Sequence, residues 1–96
     1  MYFITTIEDL DPEWGTKGTR CIGYKKTFEN ADQAVRENWC NINETIYNYA
    51  VIEFIEDGIY PACLKKWFYK FNYDKSIYES INEPSEVKHL CNFSIG

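Results

Sequence analysis

The chain has 96 residues, of which 45% are hydrophobic and 26% charged, and its formal net charge is −5. These proportions are ordinary for a globular protein and exclude wholesale disorder. The negative balance excludes a general nucleic-acid binder, because such proteins need a basic surface to displace counterions. The length predicts one domain, residues 1–96, whose three Trp, eight Tyr and six Phe supply large areas for burial.

The first element predicted along the chain is a strand at residues 2–7, where β-branched and aromatic residues dominate. Acidic residues, a proline and two glycines in residues 8–18 indicate a loop long enough to have a function. A second strand follows at 19–27, with Gly23 marking a bulge or a close approach.

A helix is predicted at residues 30–40, where Asn30 can cap the first turn and Gln33 stands in the capping-box position. Ala31, Ala34 and Val35, followed by Asn38 or Trp39, repeat with the helical period, so that side should pack inward. Residues 41–45 form a polar connection to the next element.

The strongest strand pattern covers residues 46–56 and ends at a turn at Asp57-Gly58. Residues 64–72 and 76–81 are typical of a hairpin joined through residues 73–75. Beyond Pro84, the sequence indicates a short helical turn at 85–90 and a last strand in the terminal CNFSIG. These elements predict an α+β fold, a mainly antiparallel sheet of four to six strands with one helix packed on one face.

No membrane or secretory segment is expected. The start of the sequence, MYFITTIEDLDPEW, is too short and too acidic for a signal peptide, and the apolar runs are far shorter than a membrane span. We therefore expect a soluble, cytoplasmic protein.

The four cysteines lack the paired spacing typical of zinc sites, and the chain has one histidine. We expect no metal site, and reduced thiols that are mostly buried and structural. The cysteines are Cys21, Cys40, Cys63 and Cys91.

No catalytic residue is predicted. His89 and Cys91 stand two residues apart in the tail, with no third group to orient them. The carboxylate pairs Glu8-Asp9 and Glu56-Asp57 are adjacent, so on a strand they point to opposite faces and are poor acid–base partners. We therefore expect neither an enzyme nor a cofactor.

Basic and aromatic residues concentrate in two predicted strands. Residues 16–27 contain four cations and no acid, and residues 64–73 interleave three lysines with five aromatic residues. Alternation places Arg20, Ile22, Tyr24 and Lys26 on one face of the earlier strand, and Trp67 and Tyr69 on one face of the later strand.

If the two strands are neighbours, their cations and rings converge on a site for a phosphate-bearing ligand with a planar base. The candidate phosphate contacts are Arg20, Lys25 and Lys26. The candidate stacking residues are Tyr24, Trp67 and Tyr69, joined by Trp14 if the 8–18 loop closes over the site. The alternative is that the lysines protect sheet edges from aggregation and that the Trp67 face is core.

Several motifs resemble a family of short proteins from Firmicutes and their phages or mobile elements. They are an Arg-x-x-Gly pattern (Arg20, Gly23), a helix ending near Asn38, an Ile-Asn-Glu turn (Ile42–Glu44), a Tyr-x-Tyr-Ala-Val-Ile-Glu strand (Tyr47–Glu53) and a Gly-Ile-Tyr-Pro turn (Gly58–Pro61). The motifs are not catalytic signatures. The resemblance implies a context, since small acidic proteins of phages often counter host defence.

Three functions follow as hypotheses. The first is a counter-defence protein of a phage or mobile element that sequesters a nucleotide-type immune signal without catalysis, at the interface of a homo-oligomer. The second is a protein–protein inhibitor of the anti-CRISPR type, whose acidic segments 8–13 and 53–57 contact a basic channel on a host defence complex. The third is an accessory domain without a ligand, whose charged patches only keep it soluble.

Overall fold

The computed structural model describes residues 1–56, 63–87 and 93, and there it contains one antiparallel five-stranded sheet and one α-helix. The strand order is β2-β1-β3-β4-β5, and the helix packs on one face, which confirms the predicted α+β class. The elements are β1 (Tyr2–Asp11), β2 (Gly15–Lys25), α1 (Phe28–Arg36), β3 (Tyr49–Ile55), β4 (Cys63–Asn72) and β5 (Ile77–Ile81), with 3₁₀ turns at Trp39–Asn41 and Ser85–Val87.

The segment predicted as the 8–18 loop is mostly a β-hairpin, so that prediction is wrong. β1 continues to Asp11, and β2 begins at Gly15. The Asp11 carboxylate accepts hydrogen bonds from the backbone N–H groups of Glu13, at 2.8 Å, and Trp14, at 3.1 Å, which closes the turn. The acidic and glycine-rich composition indicated a loop. The two strands are joined by hydrogen bonds between backbone groups, which every residue type except proline can form on both sides, so composition alone did not predict the pairing.

A β-bulge in β2 changes which side chains share a face. Thr5 of β1 stands opposite Cys21, whereas its neighbour Ile4 stands opposite Gly23, so β2 carries one extra residue. Gly23 takes up the distortion with a φ of +145°. As a result, the expected grouping of Arg20 with Tyr24 and Lys26 is wrong, because a bulge reverses the alternation beyond it.

α1 begins two residues earlier and ends four residues earlier than the predicted 30–40 helix. Its N-cap is Thr27, whose Oγ1 accepts a hydrogen bond of 3.2 Å from the Asn30 N–H, so the predicted Asn30 cap is wrong. Ala31, Ala34 and Val35 are buried against the sheet, as the helical period predicted.

The sheet is covered on both faces. On the α1 face, the helix packs on a cluster that includes Ile52 and Tyr69. On the opposite face, Val87 and Phe93 from the C-terminal segment pack around Val51 and Phe68. Both clusters therefore contribute to the core of the fold.

The later elements follow the predictions closely. β3 begins at Tyr49, three residues after the predicted start, and β4 and β5 form the predicted hairpin through a turn at residues 73–76. The predicted 85–90 turn is a 3₁₀ turn over Ser85–Val87, while the Asp57-Gly58 turn and most of the predicted last strand lie outside the described residues. Across the described ranges, no helix combines the length and apolar character that crossing a membrane would require.

Candidate ligand-binding groove

A groove of about 540 Å³ lies between β2 and the connection that follows α1. Its apolar lining comes from β1, β2, α1 and the connection, and its polar lining comes from β2 and residues 39–44. We call it the β2 groove. Its apolar residues are Ile4, Ile22, Ala34 and Ile42. Trp39 supplies an aromatic ring, and Arg20, Lys25 and Glu44 supply charges. The volume is within the range of small-molecule sites.

At one end of the groove, a cation lies over an aromatic ring. The Nζ of Lys25 is 5.3 Å from the centroid of the Trp39 ring, and Trp39 is 39% exposed. The Trp39 indole N–H donates a hydrogen bond of 3.0 Å to the Glu37 carboxylate. This bond lowers the pKa of Glu37, with a smaller contribution from Gln33, and it fixes the edge of the indole while leaving part of its surface open.

At the other end, Arg20 and Glu44 form an ion pair of 3.1 Å between Nη1 and Oε2. Their side chains are 61% and 45% exposed, so the pair contributes at most about 1 kcal/mol to stability. Both groups therefore remain available to a ligand at a small energetic cost.

The wall opposite β2 is held in an unusual backbone conformation. Five non-glycine residues between Asn38 and Thr45 have positive φ angles: Asn38, Cys40, Asn41, Glu44 and Thr45. Outside asparagine, such a residue costs roughly 1–2 kcal/mol. The Asn38 side chain anchors the wall, since it accepts from the Asn43 N–H and donates to the Asn43 side chain, both at 3.0 Å. Strain concentrated in this way is typical of functional sites.

The groove brings together two of the predicted phosphate contacts, Arg20 and Lys25. Tyr24 borders the groove, but its ring contacts the Phe3 ring at 5.5 Å, and Phe3 belongs to the opposite face of the sheet. Lys26 follows the end of β2 and is exposed, outside the groove lining.

The remaining candidates lie elsewhere, because β2 and β4 are separated by β1 and β3. The condition for the predicted convergence, that the two basic strands are neighbours, is therefore not met. Trp67 packs on Phe28 at 4.5 Å, and Tyr69 is 1% exposed, which confirms the alternative that this face of β4 is core. Trp14 stands at the hairpin turn, 76% exposed, and is not among the residues that line the β2 groove.

Trp39 and Glu44 were missed as groove residues. Trp39 follows the helical period, and this pattern predicts that its side chain packs inward with the buried side of the helix. In the structure α1 ends at Arg36, and Asn38 then turns the chain with a φ of +52°. The asparagines around Trp39 were the available signal, because asparagine tolerates this conformation better than most residues.

Two further expectations need correction. Cys21 and Cys40 are exposed free thiols, although burial was expected. Glu53, in the supposed acidic surface 53–57, is fully buried and accepts a hydrogen bond of 2.8 Å from the Phe93 N–H. Within the described residues, no cluster of three or more His, Cys, Asp or Glu could hold a metal ion.

A scan against family models and searches of curated proteins and solved structures found no match for this chain.

Proposed function

We propose that the protein is a non-catalytic binding module that holds a nucleotide-type ligand in the β2 groove. The observation that carries the proposal is the placement of Lys25 over the partly exposed Trp39 ring, beside an apolar lining. A phosphate that pairs with the ammonium group would draw it away from the ring, and a base could then stack on the indole.

The charges of the groove support an anionic ligand. Among the described residues, no carboxylate forms an ion pair with Lys25, so a phosphate would not need to displace one. The Trp39 edge is already fixed by Glu37, and the wall behind it by Asn38 and Asn43. A site whose groups are held in place before binding loses less entropy when the ligand arrives.

The resemblance to short phage and mobile-element proteins suggests that this binding counters a host defence. A module that binds a nucleotide-type immune signal in the host cytoplasm would withhold that signal from its receptor. Because the β2 groove is not enclosed, a second copy of the chain would complete the enclosure of the ligand, as in a homo-oligomer.

A thermal-shift screen against mononucleotides, dinucleotides and ADP-ribose derivatives tests the proposal. A ligand at about 100 times its Kd adds about 2.7 kcal/mol. For a chain of this length, that raises Tm by roughly 10 °C or more. A protein that melts cooperatively and shows no shift with any compound would contradict the proposal.

Matched variants locate the site. Lys25→Ala and Trp39→Ala should each weaken binding at least tenfold, because they remove the cation and the ring. Lys26→Ala is the matched control, because it also removes one positive charge but at a residue outside the groove lining. It should leave the Kd within about twofold of the wild-type value. An equal loss in Lys25→Ala and Lys26→Ala would show that general charge, rather than the groove, holds the ligand.

A second candidate function, inhibition of a host defence protein, is favoured by the β1–β2 turn. Trp14 is 76% exposed there, and the same hairpin carries the exposed acids Glu8, Asp9 and Glu13. Exposed tryptophans often anchor interfaces, and neighbouring acids favour a basic partner. Trp14→Ala should then release a purified defence nuclease that the wild-type protein retains on a column, and equal retention by both proteins would exclude this surface.

A further inference from the structure

The two ends of the β2 groove lie farther apart than a single side chain can bridge. Lys25 stands opposite Tyr2 of β1, and Arg20 stands opposite Thr6, four positions along the same strand. At about 3.3 Å per residue, the backbones at the two ends are roughly 13 Å apart. A ligand that contacts both ends must be elongated.

The two ends also differ in chemistry. Lys25 offers a positive charge over a ring, which suits a base with its phosphate. Arg20 and Glu44 place donors and an acceptor side by side at 3.1 Å. A phosphate bound to Arg20 would be repelled by the Glu44 carboxylate, so this end suits an uncharged group with both donors and acceptors.

The edge of guanine has that pattern. Along its Watson–Crick edge, the O6 atom accepts a hydrogen bond that an arginine can donate, and the neighbouring N1–H and N2–H groups donate hydrogen bonds that a carboxylate can accept. The exposure of both side chains, 61% for Arg20 and 45% for Glu44, leaves them free to turn toward such an edge.

The lining between the ends excludes a chain of phosphates. Ile4, Ile22, Ala34 and Ile42 contribute apolar surface there. A polyphosphate laid over them would lose hydration without gaining a cation, whereas a sugar or the face of a base could be buried there favourably.

We propose that the β2 groove binds a guanine-containing dinucleotide. One base stacks on Trp39 with its phosphate at Lys25, and the edge of a guanine is read by Arg20 and Glu44. This inference rests on the proposed function and specifies its ligand class.

Calorimetric titrations with pGpG, pApA, GMP and GTP test the inference. We expect pGpG to bind at least tenfold more tightly than GMP or GTP, because only the dinucleotide reaches both ends. It should also bind more tightly than pApA. Glu44→Gln should weaken pGpG about tenfold and leave pApA within twofold, while Glu13→Gln, which neutralises a carboxylate on the distant hairpin turn, should change neither.

The remaining outcomes separate the inference from the proposed function. If GMP or GTP binds as tightly as pGpG and binding is still lost in Lys25→Ala, the dinucleotide is wrong and the groove assignment stands. If Glu44→Gln tightens every nucleotide, Arg20 holds a phosphate and the guanine assignment is wrong. If the folded protein binds none of the four compounds, the guanine dinucleotide is wrong, and the proposed function fails as well only if the wider thermal-shift screen also shows no shift.

Discussion

Strands β2 and β4 have the same kinds of residues but opposite roles in the molecule. Each carries lysines and tyrosine along an extended segment. β2 is the end strand of the sheet in the described part of the chain, and much of it is exposed. β4 lies between β3 and β5, and its Tyr69 and Phe71 are buried beneath α1.

The difference shows that position in the sheet, rather than composition, decides whether such a strand is buried in the core or lines an exposed groove. On β4, the helix covers the aromatic face, so its rings stabilise the fold. On β2, the helix ends before the strand is covered, and the residues after it form the second wall of a groove. The β2 cations therefore meet Trp39, which comes from another part of the chain, and not the β4 rings.

If β4 is core and the β2 groove is not, the largest loss of stability should come from a substitution at Tyr69 of β4. Tyr69→Ala should reduce the free energy of unfolding by about 3–5 kcal/mol, since it empties a buried site. Trp39→Ala should cost less, roughly 1–2 kcal/mol, because the residue is already 39% exposed. Urea unfolding measures both values, and equal losses would contradict the separation of core from groove.

Tyr69→Phe serves as a milder variant that should still fold. It removes the hydroxyl that donates a hydrogen bond of 2.6 Å to the Asp32 carboxylate. A bond to a charged group contributes about 1.5–3 kcal/mol, so the loss should fall between those of the two alanine variants.

A smaller effect is expected at the two glycines of β2. Both have positive φ angles, but a Cβ at Gly18 would lie 2.9 Å from the Cβ of Glu8, whereas at Gly23 it would meet nothing within 4 Å. Both substitutions should cost about 1–3 kcal/mol, through backbone strain alone at Gly23 and through strain together with the clash at Gly18. Adding Glu8→Ala should restore part of the loss at Gly18 and none at Gly23, as thermal unfolding of the four variants would show.

The smallest effect is a loss of stability at alkaline pH. Burial raises the pKa of Tyr69, with a further contribution from Asp32, and burial also raises the pKa of Tyr78. The folded protein keeps both protons after the unfolded chain has begun to ionise near pH 10. Their stabilising contribution is therefore complete below pH 10 and is lost above it, by roughly 1 kcal/mol for each tyrosine at pH 11.

Urea unfolding between pH 8 and 11 tests this assignment. Tyr69→Phe should show a shallower decline above pH 10 than the wild-type protein. The same decline in both would mean that other groups cause the alkaline loss.

Local pattern predicted much of the fold. Alternation identified the β4–β5 hairpin, and the helical period identified Ala31, Ala34 and Val35, because both signals depend only on neighbours in sequence. The order of the strands depends on which distant segments pair. A single sequence could therefore not show that β1 and β3 lie between β2 and β4. The β1–β2 hairpin was missed because its polar residues fit a loop equally well.

The site was harder to predict than the fold. Gly23 was identified as a candidate bulge. That the bulge turns Lys25 to the groove face and Tyr24 to the opposite face follows only from the register of β2 against β1, which the sequence does not give. Trp39 enters the groove only because α1 ends at Arg36 and Asn38 turns the chain. That turn is held by Asn43, a contact formed in the folded chain.

The most direct test of the central claim is an NMR titration of ¹⁵N-labelled protein with pGpG. If the β2 groove is the site, the largest shifts will fall on Arg20 to Lys25 and on Trp39 to Glu44, including the Trp39 indole N–H. Shifts concentrated on β4 around Trp67, or no shifts at millimolar nucleotide, would contradict the claim.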